Sequence, residues 1–207
     1  MTITSSTTFL EKAGWVWNKY ISSIKIKKAS SPVSAEAFGR SCLGFSPLWY
    51  RIFIALWAVA IITWSSRVFR GPIYFWPIYM THWGLLLILS ESLFGIAVAL
   101  AKKRDYFKDD TPRLPWYVKV YWVLYNTSIA VAFLITTFYW SLLYGRSIEI
   151  HFVLDLNLHG INSALMALEL ILAAHPSRLV HCYQPTTFGL VYVLFGVVYF
   201  FAGGVDP

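Results

Sequence analysis

Apolar runs long enough to cross a bilayer recur along the chain, separated by short polar or proline-bearing breaks. A transmembrane helix needs about 20 predominantly apolar residues, and five stretches qualify, at about 48–66, 73–100, 116–144, 151–174 and 186–202. Pro77, near the start of the second, is expected to bend or restart that helix. Arg51 stands a turn inside the first span, within snorkelling reach of the headgroups. The loop AKKRDYFKDDTPRLP, with Pro112 and Pro115 as breakers, separates the second span from the third. The pattern predicts an all-α polytopic transmembrane helix bundle over 48–207, behind a basic arm at 1–47. In that arm Phe9, Leu10, Trp15, Val16, Tyr20, Ile21 and Ile24 alternate with lysines, a pattern that suits an interfacial amphipathic helix or a mobile tail equally.

The polar positions inside the spans change the picture most. The stretch HFVLDLNLHGINSALMALELILAA (151–174) carries His151, Asp155, Asn157, His159, Asn162, Ser163 and Glu169. Ionisable groups are costly in hydrocarbon and usually face a bundle interior or a wet cavity. His151, Asp155 and His159 stand at i, i+4 and i+8, near one edge of a helix. Asn162 and Glu169 follow Asp155 at heptad spacing and extend that edge. The second span adds Thr81, His82, Ser90 and Glu91 among leucines and aromatics.

Composition agrees with the membrane reading. Residues are 57% hydrophobic and 13% charged, where a soluble domain shows about 25% charged. The net charge of +7 does not indicate a nucleic-acid partner, because the basic residues flank apolar segments. Fourteen of the 17 Lys and Arg fall on one side: seven through Arg51, six from Lys102 to Lys119, and Arg178. Arg67, Arg70 and Arg146 fall on the other. The positive-inside rule then places the N-terminus in the cytosol. Plasma membrane and endomembrane are equally compatible. Cys42 and Cys182, both on the basic side, are expected as free thiols, and no cleaved signal peptide is expected.

Depth along the helices suggests where chemistry sits. Thr81 lies eight residues past Ile73 and His159 eight past His151, each about 12 Å in from the same side. Glu91 and Glu169 are each eighteen residues in. If the second and fourth helices are neighbours, the Thr81 hydroxyl faces the His159 imidazole, with Asp155 one turn outward to orient the ring. That trio suits acyl transfer on a lipid ester entering sideways from the leaflet. Asn162 or Ser163 would donate to the oxyanion, and Asn157, on another face, is the weaker donor. Three other readings compete. A metal site from His151, Asp155 and His159, completed by Glu91 or His82, is weakened because i and i+8 are about 12 Å apart, so no metal and no cofactor is assigned. A proton or ion path through His82, Glu91, Asp155, His159 and Glu169 is open. The bland alternative is that the polar groups only hold helices together. Membrane lipids are the expected partners, with a lipid ester as the substrate class if the chain is an enzyme.

Two longer motifs carry a resemblance. HGINSALMALELILAAHPSRLVH (159–181) and FGLVYVLFGVVYFFAGGVDP (188–207), with PIYMTHWGLLL (77–87), resemble the rolling stone family of multi-pass membrane proteins, whose founding member is linked to myoblast fusion. The resemblance covers roughly 45–207 and implies a non-enzymatic role in fusion or adhesion as one function. It also implies that a full-length relative continues past the GG-x-DP exit into a sixth span. More distantly, the family is similar to the androgen-induced membrane proteins, which hydrolyse fatty-acid esters of hydroxy fatty acids with an intramembrane Thr and His. That likeness places the Thr at Thr81 and the His at His159.

Overall fold

The computed structural model describes residues 34–104, 114–145 and 151–204. Four helices among them are long and apolar enough to span a membrane: Leu48–Val68, Met80–Lys103, Trp116–Leu143 and Val180–Phe201. We label α1 as Leu48–Val68, α2 as Met80–Lys103, α3 as Trp116–Phe138 and α5 as Tyr183–Phe201. A π-helical turn, Tyr139–Leu143, extends α3. The stretch expected as a fourth span is helical over 152–172 but built from three runs, which we label together α4. They are Phe152–Leu156, a π-helical turn at Asn157–Ile161, and Asn162–Leu172. At 1.5 Å per residue this is about 31 Å, the depth of a bilayer core. No β-strand occurs among the described residues, and the protein is an all-α membrane bundle.

Helices α1 to α4 pack around a shared interior, each against the next in sequence or across the bundle. Three apolar layers fill it. Phe38, Val98, Val118, Tyr121, Tyr125 and Ala173 form one end, which also holds most of the described basic residues. Ile54, Ala58, Ile88, Ala132 and Met166 form the middle, and Ile61, Leu85, Leu154 and Leu158 the opposite end. Helices α2 and α3 approach closely at Gly84, where a Cβ would lie 2.6 Å from Ile135 Cδ1. Helix α5 has no buried residue and joins the bundle from outside. It is held by Trp83 against Phe188, Tyr192 and Phe195, and by the Tyr192 hydroxyl donating to the Ile78 carbonyl at 2.8 Å. Its Leu190, Val193, Leu194, Val198, Phe200 and Phe201 are exposed, as expected of a helix solvated by lipid on most of its circumference.

The second span departs from the expected 73–100. Ile73–Ile78 is a 3₁₀ turn containing Pro77, Tyr79 is extended, and the α-helix begins only at Met80. Proline has no N–H to continue a helix and disfavours helical geometry in its predecessor, so the chain restarts after it. Thr81 therefore sits in the first turn of α2, not eight residues inside a helix.

The N-terminal arm is described from residue 34 onward, and the proposed amphipathic helix at 9–24 lies outside the described residues. Residues 34–46 pack on the basic end of the bundle. A one-turn helix, Ala35–Phe38, buries Phe38 completely. An isolated antiparallel bridge joins Ser41 to Ala173, with Cys42 N donating to the Leu172 carbonyl at 2.8 Å and Ala174 N to the Arg40 carbonyl at 3.3 Å. Cys42 and Cys182 are in no disulfide.

Candidate functional site

At the end of the bundle away from the basic residues, α2 and α4 meet through three side chains. The Thr81 hydroxyl is 3.3 Å from His159 Nε2. His159 Nδ1 is 2.7 Å from Asp155 Oδ1. A carboxylate accepts only, so Nδ1 carries the proton and Nε2 is left with a lone pair facing Thr81. Asp155 and His159 are buried, and Thr81 is half-buried.

The two π turns converge on this histidine. Each inserts one residue into a helix and is a feature enriched at functional sites. The turn at Asn157–Ile161 contains His159 itself. The turn at Tyr139–Leu143 starts with the two aromatics that hold it. Tyr139 stacks on the imidazole, with ring centroids 3.6 Å apart and planes 7° from parallel. Trp140 Nε1 donates to the His159 carbonyl at 2.9 Å. That carbonyl lies in the non-α turn, where backbone acceptors need partners from outside the helix.

His82, next to Thr81, is directed elsewhere. Its Nδ1 donates to the Trp76 carbonyl, and Ser65 Oγ lies 3.0 Å from its Nε2. Its ring stacks on Trp76 at 3.9 Å, and the Trp76 indole donates back to Ser65 Oγ at 3.1 Å. Ser65 and His82 thus resemble a nucleophile–base pair, but Ser65 is 4% exposed and its oxygen already accepts the indole proton. The ring closes a lock between the end of α1, the 3₁₀ turn and the start of α2, and so fixes the turn on which Thr81 stands.

The other expected lining residues separate into distinct places. His151 stands at the N-cap position of α4 without a side-chain cap bond and is exposed, whereas Asp155 and His159 are buried. Asn157 accepts from Trp57 Nε1 on α1 at 2.9 Å and donates to the Val153 carbonyl at 2.7 Å. Asn162 Nδ2 donates to the Leu158 carbonyl, and its Oδ1 accepts from Thr136 and from Ser163 N. Ser163 Oγ donates to the Gly160 carbonyl. Asn162 and Ser163 thus stitch the π turn closed, with the Ser163 hydroxyl and one of the two Asn162 amide N–H groups donated to backbone carbonyls. The first turn of α2 offers another source of oxyanion donors, since early helical N–H groups lack an i−4 carbonyl and the helix dipole places positive charge there. Among the described residues no three His, Cys, Asp or Glu come together as a metal site.

Glu91 and Glu169 lie at the other end, around a residue the sequence reading placed at the headgroups. Arg51 is 0% exposed. Its Nε and NH2 donate to Glu169 Oε1 at 3.1 and 2.9 Å. Its NH1 donates to the Gly95 carbonyl at 2.9 Å and the Phe38 carbonyl at 3.2 Å, and its NH2 also reaches the Tyr121 hydroxyl. Tyr121 in turn donates to Glu169 Oε1 at 2.9 Å. Glu91 is equally buried, within electrostatic reach of both Glu169 and Arg51. Snorkelling is overridden because an arginine with every nitrogen satisfied inside the bundle no longer needs the headgroup water. Gly95 makes room: a Cβ there would be 2.9 Å from Arg51 Cδ and 3.0 Å from the Tyr121 ring.

These features sit in a region matched by known proteins. A family model described as "Protein rolling stone" matches residues 41–207. The chain belongs to the rolling stone family. It is 27% identical over 172 residues to "Protein rolling stone" of Drosophila melanogaster, a match covering 77% of this chain. This rolling stone chain spans 59% of the length of that fly relative. No solved structure matches it. Thr81, Asp155, His159, Tyr139 and Trp140 all lie within the matched stretch, and so do Arg51 and Glu169. Family membership and the four apolar helices make the protein a multi-pass membrane protein.

Proposed function

We propose that the protein hydrolyses lipid esters inside the membrane, with Thr81 as nucleophile, His159 as base and Asp155 as the group that orients the imidazole. The observation that carries this reading is the chain of contacts from the Thr81 hydroxyl through His159 to Asp155, in which an accepting carboxylate favours the tautomer with its proton on Nδ1. The 3.3 Å contact is long for a hydrogen bond, as nucleophile–base contacts often are before substrate binds. In the reaction Thr81 Oγ attacks the ester carbonyl carbon while its proton passes to His159 Nε2. The carbonyl oxygen becomes an oxyanion beside the first turn of α2. The C–O bond to the alcohol breaks, and the leaving oxygen takes the proton from His159. Water then attacks the acyl-threonine, again giving its proton to His159, and the acid leaves as threonine is restored.

Two features support this over a continuous proton or ion path. The ionisable groups form two separate clusters, Asp155–His159 and Arg51–Glu169 with Glu91. Ile54, Ala58, Ile88, Ala132 and Met166 lie in the apolar layer between them. A non-enzymatic role in fusion or adhesion rests on the family resemblance, and the same variants separate it from hydrolysis.

The test is ester turnover by the purified chain in nanodiscs, with labelling by a fluorophosphonate. Thr81→Ala is expected to abolish both. Asp155→Asn should cut turnover by about 10²–10⁴, because an amide stabilises the wrong imidazole tautomer. Thr63→Ala, at an exposed position on α1 whose hydroxyl bonds the Val59 carbonyl, should leave turnover within about twofold, since surface substitutions rarely exceed 0.5 kcal/mol. Absence of turnover and of Thr81 labelling in the folded protein would end the hydrolase reading. Fusion supported by a Thr81→Ala/His159→Ala variant at normal protein level would favour the non-enzymatic role.

A further inference from the structure

A cavity of about 540 Å³ opens at the basic end of the bundle, where the 39–46 loop meets the start of α1 and the end of α2. Three cations stand on its wall: Arg40, Lys102 and Lys103. Glu36 pairs with two of them, at 2.7 Å to Arg40 and 3.6 Å to Lys102. Among the described residues, three cations against one carboxylate leave two positive charges at the cavity. The remaining wall carries Ser46 and the exposed Phe45 and Trp49.

We propose that this cavity binds the phosphate of an anionic phospholipid from the adjoining leaflet. Basic residues at helix ends are expected of any membrane protein, but these are gathered on a built wall. The loop is clamped to the end of α4 by the Ser41–Ala173 bridge and by Cys42 Sγ donating to the Ala173 carbonyl at 2.9 Å. The Lys102 stem is packed on Gly39, where a Cβ would lie 2.6 Å from Lys102 Cβ. Ser41 Oγ closes the turn on the Phe45 carbonyl at 2.7 Å, and Gly44 supplies the left-handed backbone it requires, at φ 84°. The cations therefore meet a ligand without first losing much conformational freedom. The residual double charge matches a phosphate, and a basic pocket at a helix-bundle rim is a known mode of headgroup binding. A membrane lipid fits better than soluble phosphate because the mouth is aromatic and lies where the helices leave the bilayer. Trp49, at 75% exposure, is the amphipathic side chain expected at that level.

Titrating the purified chain in detergent, with thermal unfolding as the readout, tests this. Dioctanoyl phosphatidic acid should raise the unfolding temperature saturably, while dioctanoyl phosphatidylcholine and inorganic phosphate at the same concentrations should not. Arg40→Gln/Lys103→Gln, both exposed positions, should need about tenfold more phosphatidic acid. Arg67→Gln/Arg70→Gln, the same charge loss at the opposite end, should need no more than the wild type. An equal response to phosphatidylcholine, or an unchanged midpoint in the Arg40/Lys103 variant, overturns the site. An equal response to inorganic phosphate overturns the lipid as its occupant.

Discussion

Arg51 shows how far a single residue can depart from its expected setting. By sequence it stands one turn into an apolar helix, the position from which arginines reach for headgroups. In the bundle its guanidinium turns inward, and its nitrogens are shared among Glu169, Tyr121 and two backbone carbonyls. The partner that draws it in lies 118 residues away, so no local pattern announces the pair. Arg51→Leu leaves the Glu169 carboxylate buried without its cation and is expected to cost about 3–5 kcal/mol. Arg51→Leu/Glu169→Leu should recover a large part of that loss, because the pair is replaced by apolar groups of similar volume. Unfolding in mixed detergent micelles measures both. A double variant no more stable than the single one would mean that the pair is not the source of the cost. The Thr81–His159–Asp155 contacts were more accessible to sequence reasoning, since Asp155 and His159 share one helix at i, i+4. Tyr139 and Trp140 were missed. In a run as aromatic as YVKVYWVLYNTSIAVAFLITTFYW, nothing singles out the ring that stacks on an imidazole.

Among the elements, the breaks proved harder to read than the helices. Pro77 announced a bend or restart, yet the matched depth assigned to Thr81 and His159 assumed a helix continuous from Ile73. The chain restarts at Met80, and α4 also departs from α geometry where His159 meets Thr81. The π turn at Asn157–Ile161 shifts everything after it by one residue. Such an insertion leaves no trace in the spacing of residue types, because it changes backbone hydrogen bonding and not composition. Helix proximity is similarly silent except at glycine. Gly84 lets α2 approach Ile135 on α3, so Gly84→Val should destabilise the bundle by about 1–3 kcal/mol through overpacking. It should also weaken any Thr81-dependent turnover, because α2 carries Thr81 three residues away. Thermal unfolding of the variant without change would show that the helices can part at no cost.

For the whole molecule, two expectations follow from burial and charge. His175, between α4 and α5, stacks on Phe38 at 4.6 Å and lies 3.2 Å from the Tyr121 hydroxyl. Burial, with the Arg51 charge nearby, lowers its pKa to about 3. The unfolded chain protonates this histidine near 6.5 and the folded one does not. Stability is therefore fully present above about pH 6.5 and falls as pH drops toward 3, by up to about 1.4 kcal/mol per pH unit from this group. His175→Phe should show a shallower decline between those values in pH-dependent unfolding; an identical slope would remove His175 as the cause. Orientation is the second expectation. Among the described residues, Arg40, Arg51, Lys102, Lys103, Arg104, Lys119 and Arg178 lie on the end that carries Cys182, which is exposed. The positive-inside rule puts that end in the cytosol. A membrane-impermeant maleimide should then modify Cys182 only after the membrane is permeabilised, and modification of intact cells would invert the topology.

Length and apolarity of the runs determined, from the sequence alone, that this is a helical membrane protein and roughly where it spans. Both are sums over many residues and survive local error. The family was legible for the same reason, through motifs spread along α4 and α5. Whether a buried polar group pairs, locks a turn or faces a reacting atom was decided only by the tertiary structure. In hydrocarbon each such group must find a partner, and the partner is set by which helices touch. Proximity between helices is a property of the packed bundle, so Arg51 and Glu169, Ser65 and His82, and Thr81 and His159 became pairs only when it assembled.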